Sequence, residues 1–531
     1  MASAAQAPSR GAGAIAAPAP AGDVALLPVE NPGLLGVGIM TASLLQVLDT
    51  TIANVAIPHM QAALGATSDE ISWVLTSYII ASAVAMPVTG WLADRIGSRR
   101  LFILSTAGFM LASMLCGMAQ NVTQMVLFRA LQGISGAFIS PLSQAAMIDT
   151  NKPSKQAQTM ALWGMGIMIG PILGPILGGW LTENWSWRSV FYINVPVGAL
   201  SLFLLITLLP SRPLARRPFD GFGFSLLAIA LTSIQLLLDR GNHIDWFASM
   251  EAWIYAGLAA SAAWVATIHF TTAKRPLFDR LLFADANFVV AFMLSVGMGV
   301  VMFATMALLP PMLQHLLGYT VIGTGMMMVP RGVGALLSMQ ISGFLVRKGV
   351  DARYILGAGF LIAALSLYDM ASWSLAVDRM HIASASLIQG LGLGLCFIPV
   401  NAMAYATLAP ALRTEGASVL NLGRSLGSSV GISIVTALLA RSIQVSHQDL
   451  ASHITSSAID VIDVSTIDRF QMVGTRILSM IDGEVNRQAA MIAYVNDFWL
   501  MMWMTLASLP LIFFMRKANL RAPVPESVDM H

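Results

Sequence analysis

One aspartate, Asp49, lies inside an apolar segment that is long enough to cross a membrane. A carboxylate in hydrocarbon is costly unless it is protonated or paired with a cation. Burial disfavours its charged form and a nearby cation favours that form, so such a group can take up and release a proton as its surroundings change. Asp49 is therefore a candidate proton carrier. The alternative is a carboxylate that only hydrogen-bonds a neighbouring helix.

An arginine, Arg129, lies in another apolar segment and is followed by Gln132 and Gly133. The segment of Asp49 is predicted to run outward and that of Arg129 inward. At about 1.5 Å per residue, the two side chains then lie at nearly the same depth. We expect them to interact, directly or through water, and a proton on Asp49 would weaken the interaction. The alternative is a static ion pair that holds two helices together.

A short turn after the second apolar segment combines glycines with charges. Gly90 permits close helix approach and Gly97 permits chain reversal. Asp94 stands among arginines and can pair with them, or with a helix N-terminus in another part of the protein. We interpret the turn as a latch that differs between conformations, and the alternative is plain topological charge. The latch residues are Gly90, Asp94, Arg95, Gly97 and Arg100.

The fifth apolar segment carries a glycine at every fourth position and two prolines. Small residues at this spacing form a smooth stripe for close helix packing. Prolines remove backbone donors and bend a helix. A bent, tightly packed helix suits a pivot or a seal against leak, although ordinary small-residue packing explains the stripe equally well. The members are Gly166, Gly170, Pro171, Gly174, Pro175 and Gly178.

These residues belong to a chain of 531 residues that is 56% hydrophobic and only 11% charged. Soluble proteins carry about 25% charged residues, so the composition excludes an ordinary soluble globule. The net charge of +2, without a basic patch, gives no indication of nucleic-acid binding. Apolar blocks of membrane-spanning length predict fourteen transmembrane helices. They cover 35–57, 71–93, 101–119, 123–148, 157–181, 188–209, 221–238, 252–272, 286–309, 321–346, 354–375, 381–408, 417–440 and 495–515.

The distribution of basic residues predicts the orientation of these helices. Of the 29 lysines and arginines, 19 lie in segments that a cytoplasmic N-terminus places inside, and two, Arg240 and Arg379, lie in short outside loops. Four more lie in the segment 441–494 and four within spans. An inside excess of this kind is the signature of cytoplasmic loops. We therefore predict that both termini are cytoplasmic, in a bacterial inner membrane.

The sequence contains an internal repeat with an offset of 253 residues. Helices 1–6 (33–210) and 9–14 (286–515) then form two pseudo-symmetric bundles in a 6+2+6 arrangement, and 211–285 holds an inserted helix pair. Parallel repeats of this type place a substrate site between the halves, near the membrane midplane. Identical pairs at this offset are Pro58 and Pro311, Gly65 and Gly318, Thr67 and Thr320, Gly90 and Gly343, and Arg100 and Arg353.

Three segments are predicted to lie outside the membrane. Residues 1–32 read as a disordered cytoplasmic tail and 516–531 as a second tail. Residues 441–494 form a polar outside loop, which is a contact surface, a gate or a passive excursion. Its apolar residues at roughly helical spacing are Ile459, Ile462, Ile467, Phe470 and Val473.

Clues to the substrate are few. Candidate cavity residues are Asn54, Gln132, Met302, Arg331 and Asn401. Methionines at 298, 302, 306 and 326–328 suit a pliable cavity, although lipid-facing positions account for most of the 33 methionines. No second membrane acid stands out besides Asp49. Scattered histidines and two cysteines in apolar runs predict neither an enzyme nor a metal site or cofactor.

The four motifs in this order resemble the major facilitator superfamily and, more closely, its 14-helix drug:proton antiporter branch, the EmrB/QacA type. Trp187-Arg188 followed by the stretch Asn194–Gly198 also resembles that branch. The resemblance implies the major facilitator fold, rocker-switch alternating access, a coupled proton on Asp49 and support of proton transfer by Arg129. It implies amphipathic, often cationic, drugs as substrates. It also implies a membrane-fusion adaptor and an outer-membrane channel as partners, with 441–494 as a contact surface.

The sequence therefore predicts a proton-coupled antiporter, driven by the proton gradient, that exports hydrophobic or amphipathic compounds. One alternative is an exporter of one specific metabolite or siderophore-like compound on the same fold. Another is an uptake transporter, which the glycine–proline motif of the fifth helix disfavours. A receptor on the same fold remains a further alternative.

Overall fold

The computed structural model of the protein describes residues 25–212, 214, 218–241, 244–453 and 471–516. Across these residues the regular structure is helical, and fourteen helices are long and apolar enough to cross a membrane, as predicted. In chain order they are α1 (Pro32–Leu64), α2 (Glu70–Ile96), α3 (Ser98–Met118), α4 (Val122–Asp149), α5 (Gln158–Asn184), α6 (Ser189–Leu208), α7 (Gly221–Arg240), α8 (Met250–Thr272), α9 (Ala286–Leu316), α10 (Ile322–Lys348), α11 (Ala352–Met370), α12 (Arg379–Ala406), α13 (Pro410–Ser452) and α14 (Ser479–Phe513).

Several of these helices are irregular where prolines remove backbone donors. The helix α2 contains a 3-10 turn at Met86–Val88, which includes Pro87. The helix α9 ends in a π-helical turn, Met312–Leu316, directly after Pro310 and Pro311. A short helix, Arg280–Ala284, precedes α9 and begins at Asp279, whose side chain accepts a bond from the Leu281 amide.

Helices α1–α6 and α9–α14 pack as two equivalent bundles. In the first bundle α1 contacts α5 and α6, α2 contacts α4, and α3 contacts α4 and α6. In the second bundle α9 contacts α13 and α14, α10 contacts α12, and α11 contacts α12 and α14. The two sets of pairs match helix by helix, so the repeat predicted from the sequence is a repeat of packing.

The repeat extends to the turns that join the first two helices of each bundle. Gly65 and Gly318 both have positive φ values, 62° and 73°, a conformation that favours glycine. Two residues later, Thr67 and Thr320 each begin a helix and accept a backbone bond with the side-chain hydroxyl, from Glu70 at 3.2 Å and Gly323 at 3.1 Å. These glycines and threonines, which match at the 253-residue offset, therefore have the same roles in the two turns.

The inserted pair α7–α8 lies on one flank, where α7 contacts both bundles. Leu231 of α7 packs in a cluster with Ala83 of α2 and Leu422 of α13. Near the end of α7, Asp239 accepts a hydrogen bond from Thr76 of α2. The neighbouring carbonyl of Leu238 accepts a bond of 2.6 Å from the Ser433 hydroxyl of α13. The α7 helix thus covers the seam between α2 and α13.

The segment predicted as a polar outside loop, 441–494, is helical at both described ends. The helix of α13 continues to Ser452, and the helix of α14 begins at Gln471. His447 and Asp482 join the two extensions through a contact of 3.1 Å. Polarity at these positions marks the end of the apolar span, and the helix itself continues because exposed polar side chains are compatible with it. Ile459, Ile462, Ile467 and Phe470 lie outside the described residues, as do 1–24 and 517–531.

The chain reverses direction at Gly97, between α2 and α3, and a substitution there tests whether the turn requires glycine. Its φ of 92° is strained for a residue with a side chain. We expect Gly97→Ala to lower the free energy of unfolding by more than about 1 kcal/mol, measured by thermal unfolding of the purified protein. Gly257→Ala on α8 is the matched control, because a methyl group there meets open space. Equal stability of both variants would contradict the role of Gly97.

Candidate functional site

The carboxylate of Asp49 is buried at the centre of a polar cluster in the first bundle. Arg129 Nη1 donates to its Oδ2 at 2.6 Å. Two amides donate to its Oδ1, Gln132 Nε2 at 2.8 Å and Asn194 Nδ2 at 2.7 Å. One cation and two neutral donors thus stabilise a single buried negative charge. The contact between Asp49 and Arg129 predicted from their depths is present and direct.

Arg129 is fully buried and is held by groups other than Asp49 as well. Its Nε donates to the Val74 carbonyl of α2 at 3.2 Å, and its Nη1 also donates to Gln132 Oε1 at 2.7 Å. The guanidinium carbon lies 4.5 Å from the ring centroid of Tyr78. A planar guanidinium can make these bonds and this stacking contact together, whereas a lysine ammonium cannot. The fixed arginine therefore presents a stationary positive charge to Asp49.

Asn194 is a member of the cluster that motif reasoning did not assign to the site. It lies at the start of the main part of α6, where its amide donates to both Asp49 and the Ser113 hydroxyl, the latter at 2.9 Å. Ser113 in turn donates to the Phe191 carbonyl at 2.9 Å. The stretch Asn194–Gly198 was noticed only as a resemblance. A polar amide inside a predicted span was the signal that could have identified it.

The second bundle lacks an equivalent charge pair. The 253-residue offset relates Asp49 to Met302, and Arg129 falls near Ser386, whose buried hydroxyl has no hydrogen-bond partner among the described residues. Gln389, the counterpart of Gln132, donates to the Thr305 hydroxyl at 3.0 Å. The second copy of the network is therefore neutral at these positions.

A cavity lies between α5 of the first bundle and α9, α10 and α12 of the second. The predicted cavity residues Met302 and Arg331 line it, as do Met298, Met306 and Met328. Two further methionines, at 168 and 339, complete an apolar wall together with Pro171 and Phe397.

The other predicted cavity residues lie elsewhere. Gln132 belongs to the Asp49 cluster. Asn401 is buried one turn beyond Phe397 and donates to its carbonyl at 2.7 Å. Asn54 is exposed near the outer end of α1. Residue type and membrane depth thus identified two of the five candidate cavity residues, Met302 and Arg331. They could not decide which face of a helix is turned toward the cavity.

The two bundles are joined at the end of the molecule that carries the Gly90–Arg100 turn, which we call the basic end. Gly90 of α2 packs against Glu415 of α13, where a Cβ would lie 3.0 Å from the glutamate Cβ. Asp149 of α4 pairs with Arg413 at 3.3 Å and also with Arg212. Arg212 donates to the Thr414 hydroxyl at 3.1 Å. The described hydrogen bonds between the bundles lie toward this end, which closes the cavity there.

The predicted latch residues differ in their contacts. Asp94 interacts electrostatically with Arg212, whose pKa is lowered to about 10, mainly by burial and then by the charge of Arg413, so that it remains charged at neutral pH. Arg95 stacks on Trp91 of its own turn at 5.3 Å, and Arg100 is exposed. The sequence did not identify Asp149 and Glu415, because charged residues are expected at the ends of membrane spans whatever their contacts.

A family model described as "Major Facilitator Superfamily" matches residues 39–432, about three quarters of the chain. The chain belongs to the major facilitator superfamily. It is 37% identical to the fatty acid resistance protein FarB of Neisseria gonorrhoeae over 420 residues, 78% of this chain and 82% of that protein. It is 31% identical to the multidrug export protein EmrB of Escherichia coli (strain K12) over 493 residues, 92% and 96% of the two chains.

Solved structures show the same fold at low sequence identity. The proton:xylose symporter XylE matches with a TM-score of 0.62 and 13% identity, over 92% of this chain and 97% of that one. The human organic anion transporter MFSD10 matches with a TM-score of 0.56 and 13% identity, over 89% and 99% of the two chains. These likenesses concern the superfamily fold alone.

In this superfamily member, the glycine stripe of α5 is a packing surface for α1. Added methyl groups at Gly166, Gly170 and Gly178 would meet Met40, Val47 and Ile52 of α1. At Gly174 a methyl group would collide with Thr51, two residues beyond Asp49. The stripe thus sets the distance between α5, whose Pro171 lines the cavity, and the helix that carries Asp49.

A second buried membrane acid, Asp497 in α14, was overlooked in the sequence. It is 1% exposed, and its Oδ2 has no hydrogen-bond partner among the described residues. It packs in a region that includes the neighbouring Tyr494 and Phe498. The predicted last span, 495–515, begins only two residues before it. The helix begins well before it, at Gln471, so the residue lies inside.

The ion pair of the transporter can be tested as an energetic unit. Arg129→Gln leaves the Asp49 carboxylate buried without a cation, and we expect it to lower stability by about 3 kcal/mol. Asp49→Asn in the same chain removes the orphaned charge, so the double variant is expected to be more stable than the sum of the single effects predicts. Thermal unfolding of the four proteins measures the coupling. Strictly additive effects would show that the two charges do not stabilise each other.

Because Gly90 packs against Glu415 at the basic end, a larger side chain at this position should separate the two bundles there. We expect Gly90→Ile to push Glu415 away and to increase the population open at this end. Spin labels at Arg100→Cys and Lys348→Cys, which are exposed in different bundles, report the separation, since the native Cys116 and Cys396 are buried. Gly33→Ile on α1 is the control, because its added side chain meets open space. An unchanged distance distribution in Gly90→Ile would contradict the latch.

Proposed function

We propose that this transporter is a proton-coupled antiporter that exports hydrophobic or amphipathic compounds by alternating access. The observation that carries the proposal is the buried Asp49 carboxylate, with Arg129 bonded to it at 2.6 Å. The arginine offsets the negative charge of this carboxylate, and a proton on the carboxyl group would remove that charge. Protonation therefore removes the attraction between α1 and α4, and it changes which conformation is favoured.

The cycle that we propose begins from the conformation seen here, closed at the basic end and with Asp49 paired. A proton arriving from the opposite side neutralises Asp49, and the contacts of Asp149 and Glu415 at the basic end then open. Release of the proton to the basic side restores the ion pair. Substrate binds from the basic side once the proton has left, and the return to the conformation closed at that end carries it in the opposite direction.

The relatives support export of apolar compounds, since their names describe multidrug export and fatty acid resistance. The methionine-lined cavity supports it too, because methionine adapts to ligands of different shape. Export of one specific metabolite or siderophore-like compound is the alternative, and uptake is a weaker one. The polarisable, unbranched side chains around the cavity favour a transporter that accepts several compounds.

We propose further that the basic end faces the cytoplasm of a bacterial inner membrane, with both termini on that side. The proton gradient is the proposed energy source, without a cofactor, metal or enzymatic activity. The parts of α13 and α14 that extend past the spans predicted from the sequence are joined by His447 and Asp482. They are the proposed surface for a membrane-fusion adaptor and, through it, an outer-membrane channel.

Uphill transport in proteoliposomes with an imposed pH gradient tests the antiporter. Neutral, cationic and anionic hydrophobic dyes serve as probes. We expect the wild-type protein to move at least one dye against its gradient, and Asp49→Asn to lose this uphill movement while it still equilibrates dye down a dye gradient.

Asp369→Asn is the matched control, since this acid is partly exposed and pairs with His381 at 3.0 Å. It should keep uphill transport, which shows that loss of any carboxylate is not sufficient. Proton-driven accumulation by Asp49→Asn would remove Asp49 from the mechanism. Failure of the wild-type protein to move any dye uphill would contradict the antiporter.

A further inference from the structure

Arg331 of α10 is a cation without a counter-charge in the cavity wall. The residue is 7% exposed. Its Nη2 donates to the Met302 carbonyl at 2.9 Å, and its Nη1 has no hydrogen-bond partner in the part of the chain that the structure describes. Within the same ranges no carboxylate is close enough to form an ion pair with it. The Nη2 edge of the guanidinium is thus held by the protein, and Arg331 lines the cavity with a buried Nη1 that has no partner among the described residues.

An arrangement of this kind is unfavourable in the empty protein. A buried charge is costly unless it is paired and fully hydrogen-bonded. A guanidinium presents donors in a planar fork that matches the geometry of a carboxylate or a phosphate. The geometry therefore selects for a ligand that brings a negative charge, and it disfavours a ligand that brings a positive one.

The pseudo-symmetry shows how this charge differs from that of the first bundle. The offset of 253 residues relates Tyr78, which stacks on Arg129, to Arg331. The same offset relates Asp49 to Met302, whose carbonyl holds Arg331. The first bundle thus has an arginine neutralised by its own aspartate. At the related place the second bundle has an arginine and a methionine, so the anion is missing from the chain itself.

The surroundings of Arg331 fix its position and supply the rest of a site. Gly390 of α12 packs so closely on the Arg331 carbonyl that a Cβ there would collide with it. Six methionines and Phe397 form the apolar wall. Behind Phe397 the Arg424 guanidinium stacks on the ring at 4.9 Å, and its Nε and Nη2 are also without partners among the described residues. A second cation therefore adds positive potential behind the wall of the cavity.

We propose that Arg331 binds the anionic head of an amphipathic organic acid, whose apolar body fills the methionine-lined cavity. The inference rests on the proposed export function and names its substrate class. The ligand carries one carboxylate or a similar acidic group on an apolar body that contacts the methionine wall of the cavity. Amphipathic cations, which the family resemblance implies as substrates, are then the poorer ligands of this site.

Equilibrium binding to the full chain in phosphatidylcholine nanodiscs tests the proposal without any proton gradient. The probe is 11-(dansylamino)undecanoate, and its methyl ester is the uncharged match, with empty nanodiscs to correct for partition into lipid. We expect the acid to bind the wild-type protein about 10-fold more tightly than the ester, the effect of one charge-assisted hydrogen bond. Equal affinities would overturn the proposal.

Variants separate the charge from the packing. Arg331→Met should weaken binding of the acid about 10-fold and leave the ester within about 2-fold, because only the charged interaction is lost. Arg331→Lys should fall between the two for the acid. Lys348→Gln removes an exposed positive charge from the same helix and should leave both affinities unchanged. Unchanged acid binding in Arg331→Met would overturn the assignment.

Thermal stability distinguishes a ligand-binding arginine from a structural one. Without ligand, Arg331→Met should have a higher Tm than the wild-type protein, since an unpaired buried cation is replaced by an apolar side chain of the kind that surrounds it. A lower Tm would identify Arg331 as a structural residue and contradict the proposal. The same would hold if phosphatidylglycerol in the nanodiscs displaced the acid completely, because the site would then belong to a lipid head group.

These results are independent of the export mechanism. Loss of acid preference alongside intact uphill dye transport would remove the anion site and leave the antiporter. Acid preference in a protein that moves no dye uphill would support the site and contradict the antiporter.

Discussion

A charge placed in hydrocarbon has to be neutralised by another group of the protein, by a proton or by a ligand. Asp49 and Arg129 neutralise each other, and four helices converge to make this possible: α1 brings the acid, α4 the arginine, α2 a carbonyl and a ring, and α6 an amide. The arginine is fixed by several bonds, so the only part of the arrangement that can change its charge is the carboxyl group. The proposed mechanism and the packing of the first bundle thus depend on the same contact.

The two bundles differ in how their buried charges are neutralised. The first bundle encloses its charge pair. The second bundle contributes most of the cavity wall, and none of the described carboxylates forms an ion pair with its Arg331 or Arg424. The equivalent turns of the two bundles, with glycines of positive φ and threonine caps, have kept the repeat in the backbone.

Much of this could be predicted from the sequence, because a bilayer leaves few choices. Span length, the count of basic residues and the offset of 253 residues predicted fourteen helices and two bundles, and depth alone brought Asp49 to Arg129. The sequence did not predict which face of each helix is turned toward the interior. Asn54 and Met302 both lie in apolar helices, yet one is exposed and the other lines the cavity. Residues at span boundaries, such as Asp149 and Asp497, were also missed, since hydropathy cannot tell a charge that ends a helix from one that is buried within it.

The inserted pair α7–α8 makes the two flanks of the transporter unlike each other. On one flank α7 covers the line between α2 and α13, with Asp239 bonded to one bundle and the Leu238 carbonyl to the other. On the opposite flank α5 and α10 meet directly, with Gly325 packed on Ile176. A lipophilic molecule that diffuses within the bilayer therefore meets three helices on one side, α2, α7 and α13, and only two, α5 and α10, on the other.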